Sequence, residues 1–240
     1  MTTLDIRTVS RYTGAVALVL GSAAYAVPIT VSGDEDVPSA ARLADYAAQP
    51  GVARAANLAL LLMIAMVPAM VYAARLARPG APKLAFAGGG IAALAWLTGL
   101  MSIGAGQILL YQGSLLPVQD RPAAAALIDG VNRDPVFGAL IGIFVIGHLV
   151  GMVLLGASLW RSHAVPVWVA ALFTASPILH VVGYATYPLI DRASGVAFLV
   201  SGVMIALRIV RTPDSRWDLP AGAAGSAALP GSLVPAHNQR

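Results

Sequence analysis

The side chains best suited to chemistry are two histidines that lie inside long apolar stretches. His180 belongs to a polar series with Ser176, Tyr184 and Tyr187, spaced four, four and three residues apart. On a helix these offsets place all four side chains on one face. Pro177 lies in the same stretch and interrupts helical hydrogen bonding. A polar face beside a proline kink is typical of a cavity wall, or of helices that pack through interhelical hydrogen bonds.

His148 lies in the middle of another apolar stretch. The residues one helical turn away from it are apolar or small: Phe144, Val145, Gly151 and Met152. A single hydrogen bond to a neighbouring helix would satisfy this imidazole, and the alternative is a ligand or a proton acceptor. A b-type haem held by both histidines is a further hypothesis, because histidine is a common axial ligand. Counted from the predicted helix ends, the two imidazoles differ in depth by about 8 Å, which disfavours a shared haem.

Other polar side chains fall near the same predicted membrane surface as His180. Gln107 and Tyr111 are four residues apart and share a helix face. Together with His180 and Tyr184 they are candidates to line an outward-opening pocket. For Tyr25, Tyr111 and Tyr187 the favoured interpretation is the aromatic belt at a membrane interface.

The sequence contains no motif that marks an enzyme or a metal centre. It has no cysteine, which excludes disulfides, iron–sulfur clusters and thiolate metal sites. It also lacks G-x-S-x-G and H-E-x-x-H. Two histidines without neighbouring carboxylates suit neither a zinc nor a di-iron site. We therefore predict no catalytic residue and no metal ligand, and the sequence favours a non-enzymatic function.

The composition places these residues in a membrane. Hydrophobic residues make up 58% of the 240-residue chain and charged residues 11%, and the mean hydropathy is +0.77. A soluble domain carries about 25% charged residues to cover its surface. The formal net charge is +4, but the basic residues are scattered near the ends of the apolar stretches. A nucleic-acid site would instead gather them in one stripe, so we predict membrane lipid as the surroundings and no nucleic-acid partner.

Six stretches are long enough to span a membrane, which takes about 20 mostly apolar residues. They cover residues 12–31, 55–74, 84–111, 136–160, 165–187 and 193–210. We predict an all-α fold: a polytopic membrane helix bundle over residues 1–211. A flexible cytoplasmic tail rich in Pro, Gly, Ala and Ser is predicted over residues 212–240. Two loop segments, 39–48 and 121–129, are predicted to form short helices on the outer surface.

The positions of the basic residues predict the orientation. Of the 15 Lys and Arg residues, ten fall on the side that holds the N-terminus and the tail. The positive-inside rule then places both termini in the cytoplasm of a bacterium, with the protein in the cytoplasmic membrane. Residues 24–26 read Ala-Tyr-Ala and also match a signal-peptide cleavage site, which would leave five spans. The apolar run continues past that site to Val31, which favours a retained span.

Glycine pairs predict close helix packing. The fourth stretch carries Gly138-x-x-x-Gly142 and Gly147-x-x-x-Gly151. Small residues at this spacing let helix backbones approach each other. They serve packing within one chain and packing between two copies equally well, so a homodimer is an open prediction.

A short first span, a long outer loop and a histidine in a later span give the chain a recognisable layout. With Gly147-His148, Leu159-Trp160-Arg161-Ser162 and Pro166, it resembles a group of uncharacterised multi-span bacterial membrane proteins. That group is defined only as a domain of unknown function, so the resemblance implies a membrane bundle and no activity.

Three functions follow as hypotheses. The favoured one is non-enzymatic binding of a lipid, a small apolar ligand or a membrane partner. Its candidate residues are His180, Tyr184, Ser176, Gln107 and His148. The second is a haem-b redox protein that uses both histidines. The third is a small-solute transporter or channel with its path between the third and fifth spans.

Overall fold

The computed structural model describes residues 5–31 and 37–217, and within them it is a bundle of α-helices without strands. The helices are α1 (Ile6–Val31), α2 (Ser39–Ala48), α3 (Pro50–Met63), α4 (Met66–Ala77), α5 (Pro82–Ser114), α6 (Arg121–Arg133), α7 (Pro135–Arg161), α8 (Val167–Ala185), α9 (Pro188–Arg211) and α10 (Asp214–Trp217). The predicted all-α bundle is therefore confirmed. Residues 218–240 of the predicted tail lie outside the described residues.

Five single helices are long and apolar enough to cross a membrane: α1, α5, α7, α8 and α9. The pair α3 and α4 makes a sixth span if the two are counted together. These spans fit the predicted number of about six. In a bilayer such helices satisfy their own backbone groups, so the chain is an integral membrane protein.

The second span is not the continuous helix that the apolar stretch 55–74 predicts. It bends by 41° between α3 and α4. Pro68 explains the break, because its nitrogen cannot donate to the carbonyl of Ile64 and its ring crowds that carbonyl. The amide of Val67 donates to Ile64 O instead, at 3.3 Å, which tightens the turn.

The two predicted loop helices are present as α2 and α6, and they pack on one end of the bundle. Leu43 of α2, Leu110 of α5 and Ile128 of α6 form a small apolar core of their own. Ser39 Oγ donates to Asp129 Oδ1 at 2.6 Å and ties the two helices together. We call this end the capped end. The opposite end carries the start of α1 and the end of α9, and we call it the terminal end.

The two glycine pairs of α7 behave differently. A Cβ on Gly151 would lie 2.5 Å from the backbone nitrogen of Ala92, and one on Gly147 would lie 3.0 Å from Ala95 Cβ. This pair therefore serves the contact between α7 and α5. At Gly138 and Gly142 a Cβ would meet nothing within 4 Å. That face stays available, and the homodimer remains a prediction.

Packing at the terminal end continues beyond the predicted end of the bundle at residue 211. Trp217 is buried, and its Nε1 donates to Ser10 Oγ at 3.2 Å. Its ring stacks on Tyr72, and the guanidinium of Arg75 lies 4.9 Å from the ring centroid. Residues 212–217 thus belong to the packed structure rather than to the tail.

Candidate functional site

The turn between α8 and α9 brings a histidine and a carboxylate together. His180 Nδ1 lies 2.5 Å from Asp191 Oδ1. The two helices approach closely here, because a Cβ on Gly183 would collide with the backbone of Asp191. Only glycine at this position lets α9 start so near to His180.

Sequence reasoning missed Asp191, which was assigned to a short loop before a span starting at residue 193. In the structure α9 begins at Pro188, and Asp191 lies in its first turn. Proline at the first position and an acidic residue in the first turn are both signals of a helix start. Those two signals were present in the sequence and predict the earlier boundary.

The pair is held firmly and is only partly accessible. The side chain of His180 is 28% exposed and that of Asp191 is 20% exposed. Ser194 Oγ donates to the carbonyl oxygen of Asp191 at 2.6 Å and lies 3.4 Å from Oδ1. A carboxylate in a first turn is also stabilised by the free N–H groups of the helix. Inside a membrane either partner alone would be costly, which is why such pairs are candidate functional sites.

Tyr25 of α1 joins this pair to the second histidine. Its ring is 6% exposed and lies 5.6 Å from the ring of His180 and 6.1 Å from that of His148, measured between centroids. Both contacts are edge-on. Tyr25 therefore contacts both histidines, and the predicted difference in their depth stays a prediction.

His148 is sealed by aromatic rings. It is 4% exposed, with Trp96 at 4.8 Å and Phe144 at 5.3 Å between ring centroids. Gly147 and Gly151, on either side of it, hold α7 against α5, the helix that carries Trp96. Within the described part of the chain His148 makes no hydrogen bond, and Trp96 Nε1 has no acceptor. The predicted apolar face around His148 is thus an aromatic box.

The other residues predicted for the site lie in different surroundings. Ser176 is buried, and its hydroxyl donates to Phe173 O at 3.3 Å, the carbonyl that Pro177 leaves without its helical donor. The ring of Tyr184 lies 6.5 Å from His180, at the exposed edge of the site. Ser176 therefore satisfies a backbone carbonyl of its own helix, while Tyr184 lies beside His180 as predicted.

Gln107 belongs to the capped end rather than to the histidines. Its Nε2 donates to the hydroxyl of Tyr46 in α2 at 3.1 Å. The helix that carries Gln107, α5, packs mainly on α7 and α4, whereas α8 packs on α9 and α7. These two helices are not among the described pairs with extensive contacts, and the predicted pocket between the third and fifth spans stays a prediction.

The haem-b hypothesis stays a prediction, and packed side chains surround the histidines. A haem would have to reach His148 through space that the rings of Tyr25, Trp96 and Phe144 occupy. His180 already uses one ring nitrogen for Asp191. Across the described residues no three His, Asp or Glu side chains converge, and a metal site needs at least that many.

Among the grooves on the sides of the bundle are three that are not lined by the histidines, Tyr25 or Asp191. One of about 590 Å³ runs along α1, one of about 530 Å³ lies between α6 and α7, and one of about 390 Å³ lies between α7 and α8. The described contacts of the histidine site are packed side chains.

No family model matches this chain, and no curated protein and no solved structure is significantly similar to it. The resemblance to a family of unknown function stays a prediction. What the helices define is an integral membrane protein with a helical bundle and a histidine–carboxylate pair inside it.

Proposed function

We propose that this protein is a non-enzymatic, proton-responsive membrane protein whose proton-binding site is the pair of His180 and Asp191. One observation carries the proposal: Nδ1 and Oδ1 lie 2.5 Å apart within membrane-spanning helices, and the histidine also contacts Tyr25. A histidine exchanges its proton in the physiological pH range. Beside a carboxylate the imidazolium is stabilised by a charge-assisted hydrogen bond.

A proton suits this site better than a larger ligand does. The pair is partly exposed, so water at the capped end of α8 and α9 can deliver a proton. On the interior side the ring of Tyr25 packs against His180 and Phe198. The ionisable groups around His180 are Asp191 from α9, Tyr25 from α1, Tyr184 from its own helix and His148 from α7.

Tyr25 is the element that would respond to the charge. Its ring touches both histidines, and it also packs edge-on against Trp96 and Phe198. Charges act strongly across such short distances in a medium of low dielectric constant. A proton gained by the pair thus changes the field at a ring of α1 that contacts α5, α7, α8 and α9.

Infrared difference spectroscopy after a pH jump tests this proposal. The full chain is placed in lipid nanodiscs, and wild type is compared with Asp191→Asn and His180→Gln. We expect imidazole and carboxylate bands in wild type that both variants lose. His163→Gln is the matched control, because His163 is exposed in a loop and should leave those bands in place. Identical difference spectra in wild type and both site variants would contradict the proposal.

The groove between α7 and α8 supports a second candidate function, binding of a lipid acyl chain. Its lining is entirely aliphatic: Leu149, Val150, Val153, Leu154, Ile178, Val181 and Val182. It lies beside the same helix segments that carry His148 and His180. Val182→Trp would fill it, and we expect less lipid to remain bound through purification than in the control Val200→Trp on the exposed face of α9. Equal lipid retention would count against this second candidate.

A further inference from the structure

Apart from Arg7, Arg211 and Arg216, the basic residues at the terminal end fall into two groups. Arg11 pairs with Asp214 at 2.8 Å, and Arg75 covers the ring of Trp217. These two arginines therefore serve the packing of α10. The second group is exposed, and no carboxylate of the described residues pairs with it. We call it the basic rim: Arg78, Lys83, Arg161, His163 and Arg208.

The rim comes from three separate segments that meet. A Cβ on Gly80, between α4 and α5, would lie 2.7 Å from Ser162 Cα in the loop after α7. Arg208, near the end of α9, donates from Nε to the carbonyl of Ala164 at 2.9 Å. The charges therefore gather at one place in the fold although they are far apart in the sequence.

His163 occupies an unusual backbone position in this rim. Its φ is 52°. Among the described residues other than glycine, His163 alone has a positive φ. It closes the end of α7, where His163 N donates to Trp160 O and Ala164 N donates to Leu159 O. Glycine is the usual residue there, because a side chain in the left-handed conformation costs free energy. The exposed imidazole is thus kept among the cations in spite of that cost.

Exposed aromatic side chains lie beside the rim. Phe86 is in the second turn of α5, Trp160 in the last turn of α7 and Trp168 in the first turn of α8. Aromatic rings of this kind are typical of the headgroup level of a bilayer. The rim is therefore placed at the depth of lipid phosphates.

We propose that the basic rim binds the phosphate headgroup of an anionic phospholipid in the leaflet at the terminal end. Guanidinium groups donate paired, charge-assisted hydrogen bonds to phosphate oxygens. The rim supplies cations from three segments, and the neighbouring rings contact the upper part of the lipid. This inference is independent of the proton site.

Native mass spectrometry of the full chain tests the rim with phosphatidylglycerol and phosphatidylcholine as probes. The double variant Arg161→Gln/Arg208→Gln removes two rim charges. The control Arg54→Gln/Arg133→Gln removes two exposed charges at the capped end. Each basic residue near an anionic headgroup contributes about fivefold in affinity. We expect the rim variant to lose at least about tenfold in phosphatidylglycerol binding, and the control to keep it.

Three outcomes would overturn the proposal. The first is equal binding of both lipids by wild type, and the second is equal loss of binding in the rim variant and the control. The third is displacement of the bound lipid by excess inorganic phosphate, which would indicate a site for a free anion. If the rim variant fails to fold, Arg78→Gln/Lys83→Gln replaces it, because neither side chain makes a described hydrogen bond, and the same loss is expected.

Discussion

The two histidines that contact Tyr25 lie in opposite kinds of surroundings. His148 is enclosed by Trp96 and Phe144 and has no hydrogen-bond partner among the described residues. His180 is paired with Asp191 and is partly open. Histidine is therefore a packed core residue on one side of the Tyr25 ring and the partner of a carboxylate on the other. The difference teaches that, of these two histidines, His180 is the more accessible one.

Glycines build both sides, but in different ways. On the sealed side Gly147 and Gly151 let two long helices touch along their backbones. On the open side Gly183 lets α9 begin next to α8, which places the first turn of α9 and its carboxylate beside His180. Close packing of helix middles excludes water, whereas a tight turn at a helix end leaves the site near the surface.

The largest effect is expected on the sealed side from Gly151→Val. Its side chain would overlap the backbone of Ala92, which cannot move aside. Overpacking costs about 1–3 kcal/mol in free energy of unfolding, and we expect the upper end of that range here because the clash is with backbone. Gly142→Val is the matched control on the same helix, because a Cβ there meets nothing. Unfolding by denaturant in detergent measures both, and equal stability of the two variants would break the comparison.

Smaller losses in free energy of unfolding are expected when a polar side chain is removed from the site, either the carboxylate of Asp191 or the imidazole of His148. Asp191→Ala leaves His180 without its partner and should cost about 1–3 kcal/mol in free energy of unfolding. His148→Phe removes no hydrogen bond and keeps an aromatic ring, so it should cost less than about 1.5 kcal/mol. The same unfolding titration measures the difference. A greater loss of free energy of unfolding from His148→Phe than from Asp191→Ala would contradict this account, in which His180 is the histidine with a polar partner.

The smallest effect is expected in the fluorescence emission of Trp96, which contacts both His148 and Tyr25. Trp96 lies 4.8 Å from His148 and 5.6 Å from Tyr25 between ring centroids, so its emission should respond to a charge gained at His180. In a Trp160→Phe/Trp168→Phe background we expect emission to vary with pH, and Asp191→Asn to remove that variation. Adding Trp96→Phe is the control that identifies the responding ring. A pH response that survives Trp96→Phe would show that it comes from elsewhere.

Much of the fold follows from the sequence because lipid imposes simple rules. Long uncharged runs within a bilayer must form helices. In the polar segment after the first of these runs, α2 has the predicted ends, Ser39 and Ala48. Pro68 is visible in the sequence, but it lies in a continuous apolar run, so one unbroken span was predicted where the structure has α3 and α4. Hydropathy measures length and not direction, so a bend within a span leaves no trace in it.

The site was only half predictable. Local spacing placed Phe144 beside His148 and Tyr184 beside His180, as the structure has them. The contacts of Tyr25 depend on how α1 packs against α7, α8 and α9, which no local pattern encodes. Gln107 was grouped with His180 because both were near one surface. Its partner, Tyr46, lies on a different helix of the capped end.

The most direct test of the central claim is the ¹⁵N resonance of His180 Nδ1 in histidine-labelled protein in nanodiscs. His180→Gln assigns the signal, and the spectrum is then compared with that of Asp191→Asn. We predict that the His180 signal moves when the carboxylate is removed, while the signal of exposed His163 stays in place. A His180 signal that is identical with and without the Asp191 carboxylate would mean that the two side chains are not paired, and it would contradict the account.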